Sequence, residues 1–237
     1  MTSSLPPLSE PSAQLKASLA QIRHFDGLPP EVQDAIAAAA RPRHFEAGQV
    51  IYLEGEPAEF VYILERGWVK ATRMSRDGRE QAMLFLQPVD IFGDIAVFTG
   101  TTYPGTVTAL EAVDAWIVPS ATLMALVKQH PALAEAVIHK LGERVLHYIE
   151  LVEDLSLRSV EARLANTLLQ HAEDMDGRLV VPRRAWTTFD EMAVRLGTVR
   201  DVLGRALKTL EAEGLLRVEK QEILLLDAKG LAERGNL

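Results

Sequence analysis

The pattern of apolar and polar positions changes character along the chain. Over residues 44 to about 118 it consists of short apolar runs: QVIYLEG, EFVYILERG, WVKATRMSRDG, REQAMLFL, DIFGD and TVTALEAVDAWIV. Gly48, Gly55, Gly67, Gly78 and Gly93 punctuate these runs. Short, evenly spaced strands separated by glycine turns predict a closed all-β unit, a barrel or jelly roll. The Asp-Gly pair of SRDGRE predicts a hairpin turn inside it. Ahead of this region, EVQDAIAAAA is a strong helix former and predicts a short helix over residues 30–40. Residues 1–18, which begin rich in Ser and Pro, are expected to form a mobile tail.

The texture turns helical at about residue 131 and stays so to about 157. Ile138, Leu141, Val145, Tyr148, Val152 and Leu155 follow one another at spacings of three and four, the a/d seam of a coiled coil. Leu133, Val137, Leu146 and Ile149 make a second row on a neighbouring face. One reading is a helix packed on its own domain through a wide apolar stripe. The other gives one face to the domain and the seam to a second copy, since the helix carries more apolar surface than one neighbour covers. The second reading makes residues 130–157 a dimerisation helix.

Past residue 158 the elements are shorter. VEARLANTLLQHA reads as a helix, DMDGRLVVP as a turn plus strand, and LLRVEKQEILLLD as a hairpin with a polar tip. Between them, TTFDEMAVRLG and VRDVLGRALKTLEAEG read as two helices with a very short join. Thr188 with Glu191, and Thr198 with Asp201, have the spacing of capping boxes. Gly197 lies where the first helix must turn. Met192, Leu196, Val202, Ala206 and Leu210 form the inward stripe. This is a helix-turn-helix pattern, and the hairpin after it stands where a wing would. In such a unit the N-terminal residues of the second helix reach base edges in the major groove. The exposed positions of that helix include Arg200, Asp201, Arg205 and Lys208, with Val199 at its start. Arg bonds guanine in bidentate fashion, and Asp accepts from the cytosine amino group. Thr188 and Thr198, at the two helix starts, complete the candidate DNA interface.

Charge sharpens this picture. The net charge of −8 argues against a nucleic-acid partner, but it is unevenly spread. Residues 158–237 hold 13 basic and 13 acidic side chains, while the first 157 hold 12 and 20. A neutral C-terminal part binds DNA if its basic residues share a face. Cysteine is absent, which excludes disulfides, Cys-ligated zinc and Cys-ligated iron–sulfur clusters. No apolar run reaches bilayer length and the N-terminus has no signal-peptide pattern, so no membrane partner and a cytoplasmic location are expected. No His falls between residues 45 and 129, which argues against a metal-dependent jelly-roll enzyme. No nucleophile triad signature or phosphate-binding glycine loop stands out. No catalytic residue and no metal site are expected.

The whole layout resembles the CRP/FNR superfamily of bacterial transcription regulators, from about residue 20 to the C-terminus. EAGQVIYLEGEPAEFVYILERGWVK, PVDIFGD, the long helix opening at HPAL, and GTVRDVLGRALKTLEAEGLL carry the resemblance. It implies an α+β chain. An N-terminal β-roll, a jelly roll of the cyclic-nucleotide-binding kind, occupies residues 19–129. The long dimerisation helix follows, and then a C-terminal winged helix-turn-helix domain over 158–237. The implied function is that of a homodimeric, sequence-specific regulator on a near-palindromic site in double-stranded DNA, with RNA polymerase as a further partner. The alternative is a small-molecule sensing module without DNA contact, which leaves the helix-turn-helix and wing unexplained. By position, Arg200, Asp201 and Arg205 match the base-reading Arg, Glu and Arg of the cyclic-AMP receptor branch. Asp in place of Glu shortens that reach by one methylene.

The resemblance places an effector pocket at Gly93, Asp94, Ile95, Tyr103, Thr106, Arg144 and Tyr148. Here the chain departs from the family. The segment DIFGDIAVFTGTTYPGTVTA, residues 90–109, holds no Arg, Lys or His. Tyr103-Pro104 stands where the cyclic-AMP branch has the Arg-Ser that holds the cyclic phosphate. Asp94 replaces the ribose-binding Glu, and Tyr148-Ile149 replaces the hydroxyl pair that meets the purine. A buried phosphate diester without a cation is costly, so a cyclic nucleotide is not expected. Arg144 is the nearby cation that a carboxylate ligand would want. Haem would need one of His24, His44, His130, His139, His147 or His171, none of which sits in a recognisable motif. No cofactor is expected, and the effector is unknown or absent.

Overall fold

Strands that bury both faces account for the unbroken apolar runs of the roll. The computed structural model describes residues 11–23, 25–78, 80–182 and 188–236. These divide into two compact units, residues up to 73 with 84–146, and residues 74–83 with 147 onward.

In the first unit, α1 (Pro11–Leu19) and α2 (Pro30–Ala39) precede β1 (Arg41–Phe45), β2 (Val50–Tyr52), β3 (Phe60–Arg66), β4 (Val69–Met74), β5 (Glu80–Leu86) and β6 (Ile91–Phe92). A short helix, α3 (Asp94–Thr99), separates these from β7 (Thr106–Ala109) and β8 (Val113–Pro119). Helices α4 (Ser120–Gln129) and α5 (Pro131–Leu157) follow, with residues 80–83 of β5 and 147–157 of α5 belonging to the second unit. The strands make two sheets, in the orders β1-β8-β3-β6 and β2-β7-β4-β5. Along β3, Tyr62 and Leu64 point into the space between the sheets, while Val61 and Ile63 join the helices behind. Along β8, Ala115 and Ile117 point in, while Trp116 and Val118 point out. Successive side chains of a strand face opposite ways, so each of these strands serves two cores.

Residues 11–18, expected to belong to a mobile tail, instead form most of α1. Leu15 and Leu19 are fully buried against the outer face of the first sheet. Each such burial is worth about 1.5–3 kcal/mol. A polar clamp fixes the helix as well. Glu65 accepts hydrogen bonds from Gln14 Nε2 at 2.9 Å, Ser18 Oγ at 2.6 Å and Trp116 Nε1 at 3.1 Å. Residues 1–10 lie outside the described residues.

The second unit comprises α6 (Val160–Gln170), β9 (Glu173–Met175), β10 (Arg178–Pro182), α7 (Phe189–Arg195), α8 (Arg200–Ala212), β11 (Leu216–Val218), β12 (Glu222–Leu225) and α9 (Ala228–Gly235). Its sheet runs β11-β12-β10-β9. Leu164, Leu168, Leu203, Leu210, Leu216 and Leu231 are the fully buried centre of its core. Among the described residues no helix is long and apolar enough to cross a membrane.

Candidate functional site

The second unit presents the helix-turn-helix. Thr188 caps α7, its hydroxyl accepting the Glu191 N–H at 3.2 Å. The chain then turns through Gly197, whose φ of +62° suits a residue without Cβ. Thr198 was expected to cap the second helix in a box with Asp201. Instead Val199 occupies the N-cap, without a side-chain hydrogen bond, and α8 begins at Arg200. Thr198 lies inside the turn, where its N–H donates to the Ala193 carbonyl at 2.9 Å. The buried stripe of α8 also differs. Leu203, Ala206, Leu207 and Leu210 face the core, while Val202, expected there, is half-buried beside them. The buried face thus keeps Ala206 and Leu210 as expected and adds Leu203 and Leu207.

Arg200, Asp201, Arg205 and Lys208 lie together on the exposed side of α8, with Val199 exposed at its start. Arg200 is held in place. Its Nη1 donates to Asp190 Oδ2 at 2.8 Å, and its guanidinium lies 5.9 Å from the centre of the Phe189 ring. Behind the face, His171 and Arg195 join α6 to α7. Arg195 Nη1 lies 2.6 Å from His171 Nε2, and His171 Nδ1 lies 2.8 Å from the Thr167 carbonyl. A guanidinium only donates, so Nε2 accepts and the proton sits on Nδ1. Burial lowers the pKa of His171, and burial lowers that of Arg195 to about 10. β11 and β12 pair as the wing, closed at the tip by the Glu219 N–H on the Glu222 carbonyl at 2.9 Å.

In the first unit, Gly93 and Tyr103 of the expected effector residues lie within a cluster of rings. Gly93, at φ +79°, starts α3, and a Cβ there would meet the Phe60 carbonyl at 2.9 Å and the Tyr103 and Tyr62 rings at 3.3 Å. Tyr103 is buried and stacks on Tyr52, with ring centroids 3.7 Å apart. Tyr62 stacks on Phe92 at 4.8 Å. Tyr103 Oη donates to the Phe60 carbonyl at 2.7 Å and accepts the Phe60 N–H at 3.2 Å. Burial pushes the phenols of Tyr52, Tyr62 and Tyr103 above their ordinary range. Asp94 is buried, and burial raises its pKa, opposed by Arg144. Arg144, named from the sequence as the cation for a carboxylate ligand, already has protein partners. It stands 3.9 Å from Asp94 Oδ2 and donates to the Ile91 carbonyl at 3.1 Å. Ile95 and Thr106 are half-buried, and Thr106 Oγ1 accepts the Glu54 N–H at 3.1 Å. Tyr148 is half-buried on α5, 5.7 Å from the His147 ring. Sequence reasoning missed Tyr52, Tyr62 and Phe92, and also Arg73, which pairs with Glu54 at 2.5 Å. The aromatic positions on β2, β3 and β6 were the available signal. Among the described residues no group of three or more His, Asp or Glu is placed to hold a metal ion, and His24 lies outside the described residues.

Helix α5 shows an apolar row open to solvent. Ile138, Val145, Leu146, Ile149 and Val152 are each more than half exposed, and Leu155 also counts among the exposed hydrophobics. Leu141, expected in the seam, is half-buried and packs on the first unit's own core with Leu133 and Val137. The exposed row therefore takes in Leu146 and Ile149 from the second set and gives up Leu141 and the half-buried Tyr148.

Comparison with known proteins assigns these parts. Residues 42–130 match the cyclic nucleotide-binding domain family, and residues 162–234 match the Crp-like helix-turn-helix domain. A CRP-like cAMP-activated global transcriptional regulator of Mycobacterium tuberculosis is 29% identical over 221 residues, covering 92% of this chain and 98% of that protein. A global nitrogen regulator of Synechococcus elongatus is 27% identical over 198 residues, covering 80% of this chain and 87% of that protein. The structure of FixK2 from Bradyrhizobium japonicum shares the fold, with a TM-score of 0.71 at 22% identity, covering 82% of this chain and 96% of that one. With a cyclic nucleotide-binding-type roll, a long helix and a Crp-like helix-turn-helix in one chain, the protein belongs to the CRP/FNR superfamily of DNA-binding transcription regulators.

Proposed function

We propose that the chain regulates transcription as a homodimer that reads a two-fold symmetric operator and needs no cyclic nucleotide to do so. The observation behind the dimer is the exposed row on α5, Ile138, Val145, Leu146, Ile149 and Val152. A contiguous apolar stripe of this kind on a surface marks an interaction site. A helix of 27 residues is about 40 Å long, enough to hold two copies side by side. Pairing along it sets two recognition helices about one DNA turn apart, ~34 Å, which matches two half-sites. In each half-site Arg200, Asp201 and Arg205 read base edges. Thr188, Thr198, Val199 and Lys208 lie against the backbone and its sugars. Once bound near a promoter, the dimer has RNA polymerase as its partner.

The ring cluster supports the reading of independence from a cyclic nucleotide. The relative from Mycobacterium tuberculosis is described as cAMP-activated. Here the phosphate position carries Tyr103, which spends its hydroxyl on Phe60 and its face on Tyr52. Arg144 is committed to Asp94 and Ile91. A cyclic phosphate entering this space would displace stacked rings and meet no free cation from residues 90–109. The same reading has the protein working without haem or any other prosthetic group. Sedimentation of the purified chain tests the dimer. Wild type is expected to sediment as a dimer, and Val145→Asp with Val152→Asp as a folded monomer. A stable dimer in the double variant refutes the assigned face.

A further inference from the structure

Arg200 does not stand alone on the reading face, because a carboxylate from the other helix of the motif holds it. We propose that Asp190 is a specificity-determining residue, which turns Arg200 from a general phosphate binder into a reader of guanine. This rests on the reading of Arg200 as a base contact. Asp190 is the second helical residue of α7, and Arg200 is the first of α8. The ion pair at 2.8 Å joins them across the turn, and Phe189 lies against the guanidinium from α7 as well.

Both side chains of the pair are more than 60% exposed, so it contributes little to stability. Its effect is directional. The bond uses Nη1 of Arg200. The remaining edge, Nη2 with Nε, carries two parallel N–H donors, the arrangement that matches guanine O6 and N7. Asp190 also neutralises the arginine. A free guanidinium at the start of a recognition helix gains from any phosphate it reaches, whatever the sequence. A paired one gains little from a phosphate, which would face the Asp190 charge. It gains fully only where two acceptors stand in line with the open edge. The acid therefore penalises non-cognate contacts while keeping the cognate one, and specificity is a difference of this kind.

The test is a binding series on duplexes selected by the wild-type protein and on their single-base variants, over a range of salt. It uses full-length wild type, Arg200→Ala, Asp190→Ala, Asp190→Asn and the Arg200→Ala/Asp190→Ala pair. Arg200→Ala is expected to lose discrimination at one base pair of the half-site. Asp190→Ala is expected to lose about threefold or more of the discrimination at that same base pair, with no further loss in the double variant. It should also bind non-specific DNA more tightly, with a salt dependence steeper by about one ion per protomer, because a cation has been freed. Asp190→Asn keeps the side-chain shape and should shift in the same direction, which separates the charge effect from damage to α7. If Arg200→Ala loses discrimination while both Asp190 variants keep it, with an unchanged salt slope, Asp190 has no such role. If Arg200→Ala itself leaves the base preference intact, the base-contact reading fails and this inference fails with it.

Discussion

Replacing Tyr103 with alanine tests whether the roll is filled by its own side chains. Tyr103 is 3% exposed, stacks on Tyr52 at 3.7 Å and donates to the Phe60 carbonyl at 2.7 Å. Truncating a buried aromatic to alanine costs about 3–5 kcal/mol through lost transfer energy and the cavity left behind. The stacked pair accounts for about 0.5–1.5 kcal/mol of that. Removing the hydroxyl alone, as in Tyr103→Phe, leaves the Phe60 groups unpaired and costs about 1–3 kcal/mol. Both are large against a domain stability of about 5–15 kcal/mol. The assay is urea unfolding followed by tryptophan emission, to which Trp68 and Trp116 of the first unit contribute. With an m value near 2 kcal/mol/M, a loss of about 4 kcal/mol moves the midpoint down by about 2 M. Tyr103→Phe should fall between wild type and Tyr103→Ala. A midpoint for Tyr103→Ala indistinguishable from wild type would show that the ring is not part of a packed interior, and the reading of a self-filled roll would fall.

Further perturbations follow from single observations. Leu19→Ala, at a fully buried position of α1, should cost about 2–5 kcal/mol; a loss under about 0.5 kcal/mol, as at a surface site, would contradict the docking of that helix. Gly197→Ala forces a Cβ onto φ +62° and toward Gln81 and Leu155, and should cost about 1–2 kcal/mol, read by thermal unfolding. The folded pKa of His171 lies below its unfolded value of 6.5, so the stability it contributes is present above 6.5 and is lost as pH falls through the folded value. The second unit should therefore unfold more easily at pH 5 than at pH 7.5, and His171→Gln should flatten that slope; identical slopes in the two proteins would remove His171 as the cause.

The roll was legible because its strands are marked by glycines at turns, and the helix-turn-helix because two short stripes flank Gly197. Short elements escaped for physical reasons. α3 has six residues, DIAVFT, too few for a helical period to stand out from an apolar strand. α1, nine residues, carries its signal in two leucines four apart, and only the sheet beneath them makes it stable. α9 is specified by a cap, the Asp227 carboxylate accepting the Gly230 N–H, more than by its stripe. At the candidate site the sequence showed which cation was missing from residues 90–109. It did not show what replaced it, since Tyr52 meets Tyr103 from 51 positions away. Asp190 likewise meets Arg200 only once Gly197 has turned the chain. Pairings made by tertiary structure leave no local period to read.

On the proposed reading, this regulator recognises a symmetric DNA site as a dimer with its roll already filled. The measurement that meets it most directly is selection from random duplexes by the purified full-length chain with no nucleotide present, followed by affinity for the selected site with and without cyclic AMP. An inverted repeat with half-sites about one turn, ~34 Å, apart is expected. Cyclic AMP should leave the affinity unchanged, where a coupled effector would shift it by about fivefold or more. Enrichment only when cyclic AMP is supplied, or a selected site without two-fold symmetry, would contradict it.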